Sequence, residues 1–218
     1  MFKIEDIINK VHNADCLEVM RKMKDKCVDL VLTDPPYGID YNNQKLKRYS
    51  NQVFKDIKND NGELNYKKII KECMRIGKRT IIFGAINFMT ALPYKGIWIC
   101  WDKRTKIEAD KLFGSPFELA WCDKMSGYDR IYRIMHGGVI NNDGKNSPRF
   151  HPTQKPIQLM GLILKDFSKE TDLIFDPFLG SGTTAVAAKQ LKRNFIGIEI
   201  SPDYCKIAND RLRQEMLF

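Results

Sequence analysis

The chain has no apolar run approaching the length that would span a bilayer, and its start, Met1-Phe2-Lys3-Ile4-Glu5-Asp6, lacks the hydrophobic stretch of a signal peptide. No membrane partner and a cytoplasmic location are therefore expected. Its six cysteines, at 16, 27, 73, 100, 122 and 205, form no CxxC pair, and no histidine stands at metal-ligand spacing. Neither a zinc site nor a disulfide framework is supported, so no metal is expected and the thiols should be reduced and mostly buried. Internal repeats are missing too, and the only biased tract is one polar stretch rich in Asn and Lys.

What is present is an ordinary globular composition, 43% hydrophobic and 29% charged, in 218 residues. That length suits one compact domain with a full core and room for a small inserted lobe. A net charge of +9 favours a polyanionic partner, because Lys and Arg that neutralise phosphates release condensed counterions.

Three stretches pair an apolar strand with a helix-like pattern. In residues 10 to 37, Cys16-Leu17-Glu18-Val19-Met20 opens a helix ahead of the run Val28 to Thr33. From Tyr66, a helical segment leads into Thr80-Ile81-Ile82-Phe83, closed by Gly84. Finally Leu173-Ile174-Phe175 enters a Gly-rich turn, a helix over about 183–191, a strand Phe195-Ile196-Gly197-Ile198 and a helix over about 202–213. This alternation predicts an α/β fold with a doubly wound, mostly parallel sheet. Between the second and third stretches, Ile97–Trp101, Phe117–Cys122 and Arg130–Ile134 read as strands joined by turns, and antiparallel strands on the sheet's far side suit them. The polar residues of about 38–65 form a loop too long for a mere connector, the kind that is functional or mobile.

Asp34-Pro35-Pro36-Tyr37 follows the first apolar run directly, at a strand's carboxyl end. Two prolines cannot donate to a sheet ladder and fix the local backbone, so Asp34 and Tyr37 are presented by a stiff turn at the edge where open α/β sheets bind ligands. A carboxylate, outward carbonyls and an aromatic face are what a reacting amine on a flat base requires. Asp176-Pro177-Phe178-Leu179-Gly180-Ser181-Gly182-Thr183-Thr184 likewise follows a strand and opens a helix, where glycines let backbone approach a ligand. The Lys and glycine spacing of a phosphate-binding Walker loop are missing, so a cofactor without phosphates fits better, although an empty strand-to-helix turn would read the same. Glu199 ends the next strand about 20 residues on, the spacing at which Rossmann-like sites hold ribose hydroxyls.

These segments, with Asn13-Ala14-Asp15-Cys16-Leu17-Glu18 and His151-Pro152-Thr153-Gln154-Lys155-Pro156, resemble the β class of DNA adenine-N6 and cytosine-N4 methyltransferases. The order of acidic turn, variable region, His-Pro-Thr segment and cofactor loop is similar to that class over nearly the whole chain, implying a circularly permuted class I methyltransferase fold. The resemblance implies S-adenosylmethionine as cofactor, with Gly180 and Gly182 flanking its methionine moiety, Phe178 packed beside it and Glu199 on its ribose. Ser181, Thr183 and Asp176 belong to the same loop, and Thr153 to the segment before it. Asp15 and the Cys16 backbone are the candidates for its adenine, and Asp15 also reads as a helix cap. Lys155 is a candidate to neutralise the cofactor's carboxylate, or a solvated surface charge.

Asp34 and the Pro35 carbonyl, followed by Pro36, would accept the amine's hydrogens, bias the nitrogen toward tetrahedral geometry and aim its lone pair at the sulfonium methyl. Tyr37 would stack on a base flipped from the duplex. Carbon-5 cytosine methylation is disfavoured, since no cysteine here follows a proline. Candidate contacts to double-stranded DNA are Lys45, Lys47 and Arg48 in the polar loop, and Arg104, Arg130 and Arg133 in the middle. Trp121 is a candidate second wall of the base pocket, with core packing as its alternative. The expected division is a catalytic half over 1–101, a recognition region over 102–150 and a cofactor half over 151–218. Adenine N6 is preferred because the family's cytosine-N4 members often carry Ser where this chain has Asp34. A cytosine-N4 enzyme, an RNA or protein amine methyltransferase and an inactive DNA-binding homologue are the alternatives. A homodimer and a cognate restriction endonuclease are further implied partners, with no interface pattern legible in the chain.

Overall fold

A computed structural model describes residues 4–38, 58, 64–104, 115–123, 128–135, 150–151 and 153–214. Every residue of β2 (Leu30–Thr33), β3 (Thr80–Phe83) and β7 (Leu173–Asp176) is buried, as parallel strands covered on both faces must be. Leu30 and Leu32 enter one core with Leu159 and Ile163 of α3 (Ile157–Phe167), Ala185 of α4 (Thr183–Gln190) and Ala208 of α5 (Pro202–Arg213). Val31, between them, enters a second core with Val19 and Met20 of α1 (Cys16–Lys22) and Ile69, Cys73 and Ile76 of α2 (Tyr66–Ile76). The strand's two-residue period thus splits one apolar run between two helical layers, which is the doubly wound fold expected.

Among the described residues, eight strands form one sheet in the order β1-β8-β7-β2-β3-β5-β4-β6, with β1 at Lys10–Asn13, β4 at Ile97–Asp102, β5 at Phe117–Cys122, β6 at Arg130–Arg133 and β8 at Asn194–Glu199. Only β5 is antiparallel to its neighbours; β4 and β6 run with the rest. The expectation of several antiparallel strands is corrected here. Apolar runs encode burial but not direction, and β5 slots between β3 and β4, so both of those run the same way. β5 and β6 also belong to the main sheet, so the described parts of 102–150 form no separate lobe. None of the described helices is long and apolar enough to cross a membrane.

β2 and β7 are neighbours, yet the chain leaves β2 toward β3 on one side and leaves β7 through α4 toward β8 on the other. That divergence is the switch point at which open α/β sheets leave a crevice.

Candidate active site

Both key turns open into that crevice. Asp34 leaves β2 with its Oδ1 accepting a hydrogen bond from the Tyr37 hydroxyl at 2.7 Å and its Oδ2 bonded to the Lys155 ammonium. Burial pushes the Asp34 carboxyl up, the Lys155 charge opposes this, and Glu118 adds to the rise. The Tyr37 ring sits edge-on to Phe88 at 6.0 Å and covers Gly84, where an added Cβ would come within 2.0 Å of it. Gly84 has φ +64, so its lack of a side chain serves both the turn and the seat of the ring. Burial, and next the Asp34 charge, push the Tyr37 hydroxyl well up, which keeps it a donor.

Lys155, its side chain 6% exposed, lies 3.1 Å from Glu118 Oε2 and 5.3 Å from the centre of the Phe83 ring. Lys103 donates to Glu118 Oε1 at 2.5 Å. Burial alone would raise the Glu118 carboxyl, but Lys155 and then Lys103 hold it at about 2. Burial works against the Lys155 ammonium in the same way, and Asp34 and Glu118 outweigh it, leaving its pKa well above the ordinary lysine value. Two protein carboxylates therefore meet this charge.

On the other side of the crevice, Asp176 Oδ1 accepts from Thr33 Oγ1 at 2.8 Å and from the Phe178 N–H at 3.0 Å. Burial raises its carboxyl to about 6 against these bonds. Gly180 and Gly182 take φ of +55 and +90, and a Cβ on Gly182 would fall 2.8 Å from that of Ala208 on α5. From the same helix the buried Arg211 guanidinium donates to the Ser181 carbonyl at 2.6 Å and to Thr183 Oγ1 at 3.2 Å, clamping the loop from behind. Glu199 closes it in front, accepting from the Gly180 N–H at 2.8 Å and the Ser201 N–H at 2.7 Å. Its carboxyl is raised by burial, with the Ser201 and Gly180 N–H groups opposing. Asp15 caps α1 by accepting from the Glu18 N–H at 3.0 Å, and Asn13 ties the end of β1 to the Glu199 and Ile200 carbonyls at 2.9 Å. The Cys16 thiol is pushed up to about 12 by burial, so it is an inert packing group.

One cleft is lined by the ends of β1, β2, β7 and β8 together. Of the residues named from the sequence for catalysis and cofactor binding, only Gly182 does not line it, because that glycine turns inward against Ala208. Asp15, Asp34, Asp176 and Glu199 all present carboxylates there, and burial raises the last three. Such a lining repels phosphate and gains from a cation, so it fits a phosphate-free, positively charged nucleoside. No group of three His, Cys, Asp or Glu residues among the described residues is placed to hold a metal ion.

Of the proposed DNA contacts among the described residues, Tyr37 lines the cleft, whereas Arg104, Trp121, Arg130 and Arg133 do not. Trp121 is 2% exposed, its indole lodged where a Cβ on Gly96 would fall 2.1 Å from Nε1, and it does not line the cleft. Its candidacy as a base-pocket wall is corrected: β5 is a central strand, and the ring packs within the sheet layer. Arg104 is only 7% exposed, so its side chain is part of the fold and not a phosphate-facing charge. Arg130 and Arg133 lie on β6 at the sheet's far edge, with Arg133 Nε 3.5 Å from Asp102 Oδ2. Lys45, Lys47 and Arg48, and most of the polar loop, lie outside the described residues. Sequence reasoning missed Gly84, Glu118 and Arg211. Gly84 closes a strand and Glu118 is the lone charge in an apolar run, signals too common to single them out.

Solved structures share this fold. The M1.HpyAVI complex with S-adenosylmethionine superposes with a TM-score of 0.57 at 21% identity, over 94% of this chain and 99% of that one. The cytosine-N4-specific PvuII DNA methyltransferase gives 0.63 at 15% identity, over 95% and 87%. The architecture is therefore the Rossmann-like fold of class I methyltransferases. Within it, residues 93–210 match the DNA methylase family of N6 and N4 methyltransferases. Type II methyltransferase M2.DpnII of Streptococcus pneumoniae is 30% identical over 93% of this chain and 89% of its own length, and M.HinfI of Haemophilus influenzae is 27% identical over 97% and 70%. The chain belongs to this family, the DNA amino-methyltransferases that draw their methyl group from S-adenosylmethionine.

Proposed function

We propose that the protein methylates the N6 amine of adenine in DNA at a short specific site. The observation that carries this reading is the shared cleft, in which the acidic turn after β2 and the glycine loop after β7 are joined by the Thr33–Asp176 hydrogen bond of 2.8 Å. When bound, S-adenosylmethionine supplies an electrophilic methyl on a sulfonium. The chain's own residues do the rest. Gly180, Ser181 and Thr183 offer backbone and small side chains along the cofactor's methionine part, Phe178 packs beside it, and Asp176 receives its ammonium. Glu199 keeps lone pairs beyond its two backbone bonds for the ribose hydroxyls, while Asp15 and the Cys16 backbone border the adenine. Thr153 stands at the mouth.

The amine of adenine is a poor nucleophile because its lone pair is delocalised into the ring. Asp34 and the Pro35 carbonyl accept its hydrogens, which turns that lone pair out of the ring plane and along the line of attack. The Pro35-Pro36 pair fixes both acceptors before the base arrives, so little reorganisation is needed. Tyr37 offers its ring to the flipped base, a contact worth about 1 to 3 kcal/mol. Residues of about 102–150 and the basic polar loop supply the DNA contacts. Asp34 in place of Ser supports adenine over cytosine. The test is to offer labelled donor with DNA and, separately, with RNA, digest each to nucleosides and identify the product: N6-methyl-2′-deoxyadenosine is expected, whereas label in N4-methyl-2′-deoxycytidine contradicts the base and label in RNA alone contradicts the substrate.

A further inference from the structure

Among the described strands β5 alone runs against its neighbours, so its beginning lies at the carboxyl edge of the sheet, where the other strands end. Glu118, its second residue, pairs in register with Trp101 near the end of β4 and does not line the cleft. It nevertheless reaches Asp34 through one buried ammonium. Lys155 Nζ stands 3.1 Å from Glu118 Oε2 and bonds Asp34 Oδ2, while Lys103 holds Glu118 Oε1 at 2.5 Å from the far side. Within this cluster two carboxylates and two ammoniums balance. The Phe83 ring lies 5.3 Å from Lys155 Nζ and offers its π-face to the ammonium, and Glu118 supplies it with a second anion besides Asp34.

The arrangement has a consequence for catalysis. An ionised carboxylate has about four lone-pair sites. Tyr37 and Lys155 take one each on Asp34, and the remaining sites are what the amine needs. A lysine with no second anion would settle wholly on Asp34 and compete for them. Glu118 draws the ammonium back, keeping it close enough to hold the Asp34 carboxylate in place and far enough to leave acceptor capacity.

We propose that Glu118 is a positioning residue for Asp34, acting through Lys155; this rests on the reading above, in which Asp34 receives a hydrogen of the reacting amine. The charged and titratable groups facing Asp34 are Tyr37 from its own turn, Lys155 from the segment before α3, Glu118 from β5 with Lys103 behind it, and Asp176 from the end of β7. Glu118→Gln keeps the side chain's volume and removes its charge. A carbon-13 NMR titration of the Asp34 carboxyl in the whole chain without ligand is expected to move to lower pH in Glu118→Gln and to return to the wild-type position in Glu118→Asp. In the methylation assay kcat should fall about tenfold to a hundredfold in Glu118→Gln with KM for S-adenosylmethionine unchanged, the scale of a misplaced reacting group. A merely structural role would move neither the titration nor the kcat to KM split in this way. Should Glu118→Gln fail to fold, Lys103→Met decides: with the outer cation gone, the Asp34 titration is expected to move to higher pH. An Asp34 titration unmoved, or moved in the opposite direction, in the variant that folds overturns the proposal. Because the titration needs no turnover, a wild-type chain that transfers no methyl group to DNA refutes the functional reading separately, while the role of Glu118 is still decided.

Discussion

Thr33 and Asp176, 143 positions apart in the chain, share a buried hydrogen bond of 2.8 Å between side chains at the ends of adjacent parallel strands. Through it the residue before the acidic turn and the first residue of the glycine loop become one rigid edge. On the proposed reading, the groups that hold the reacting base and the methyl donor have their separation set by neighbouring strands of a sheet, about 4.8 Å apart. Rigid strand ends place such groups more accurately than loops do.

Replacing Asp34 by Ala removes the proposed side-chain acceptor for the amine and leaves the donor's proposed contacts in place. Turnover should drop at least about a hundredfold, the loss seen when one preorganised partner at a reacting centre is deleted. Donor affinity, measured by calorimetry, should change little. Near-normal turnover would reject the role given to Asp34.

Glu199→Ala acts on the opposite wall. It deletes the acceptor of the Gly180 and Ser201 N–H groups as well as the proposed ribose partner, so the glycine loop loses its front clamp. Donor binding should weaken by about tenfold or more, since hydrogen bonds to a charged group contribute about 1.5 to 3 kcal/mol. Unchanged affinity in calorimetry would remove Glu199 from the site.

Gly84→Ala tests the seat of Tyr37. The new Cβ would overlap the ring, and φ +64 is strained for any residue with a side chain. Either effect costs about 1 to 3 kcal/mol, read as a lower denaturation midpoint. The displaced ring also gives up its bond to Asp34, so turnover should fall together with stability. A variant as active and as stable as the parent would show that the ring's position is not set by this glycine.

The raised Asp176 carboxyl makes a prediction about pH. A carboxyl lifted from the ordinary value of 3.8 to about 6 binds a proton more tightly when folded, so its stabilising contribution is full below 3.8 and is lost as pH rises through about 6. Asp34, Glu199 and Asp123 act in the same direction, and Glu118, held at about 2, in the opposite one, its contribution being lost only as pH falls from 4.5 through 2. Urea denaturation of the ligand-free protein at pH 4.5 and 7 should therefore give a smaller difference in Asp176→Asn than in the wild type, by roughly 2 kcal/mol at most. Equal differences would contradict the raised titration assigned to the buried Asp176 carboxyl. Donor binding, which brings a cation to these carboxylates, should stabilise the wild type more at pH 7 than at pH 4.5.

How far the sequence could be read follows from which signals are local. The unit from β7 through α5 is legible because a short apolar run, two glycines at positive φ, a small-residue helix and a second apolar run each have a local cause, and its last helix falls where the pattern placed it, at Pro202–Arg213. The acidic turn is legible because two prolines stop a strand. α3 is hard to read locally, because its N-cap is Pro156 with no side-chain cap and its start lies at the end of the His-Pro-Thr segment. Direction in the middle strands is not legible in the sequence, because burial patterns do not carry it. The Asp34–Lys155–Glu118 contact joins three separate segments, and nothing in any one of them announces the other two. Trp121 illustrates the converse, since an aromatic near a site in sequence was drawn into the sheet by its register with Ile82 and Trp98.

The central claim is that the acidic turn and the glycine loop form one binding cleft. A crystal structure of the protein with S-adenosylmethionine tests it most directly. The account predicts the donor between the Asp34 side chain and the Gly180–Thr183 loop, its ribose at Glu199 and its methyl directed toward Asp34. A donor bound elsewhere, or a cleft left empty at saturating donor, would contradict it.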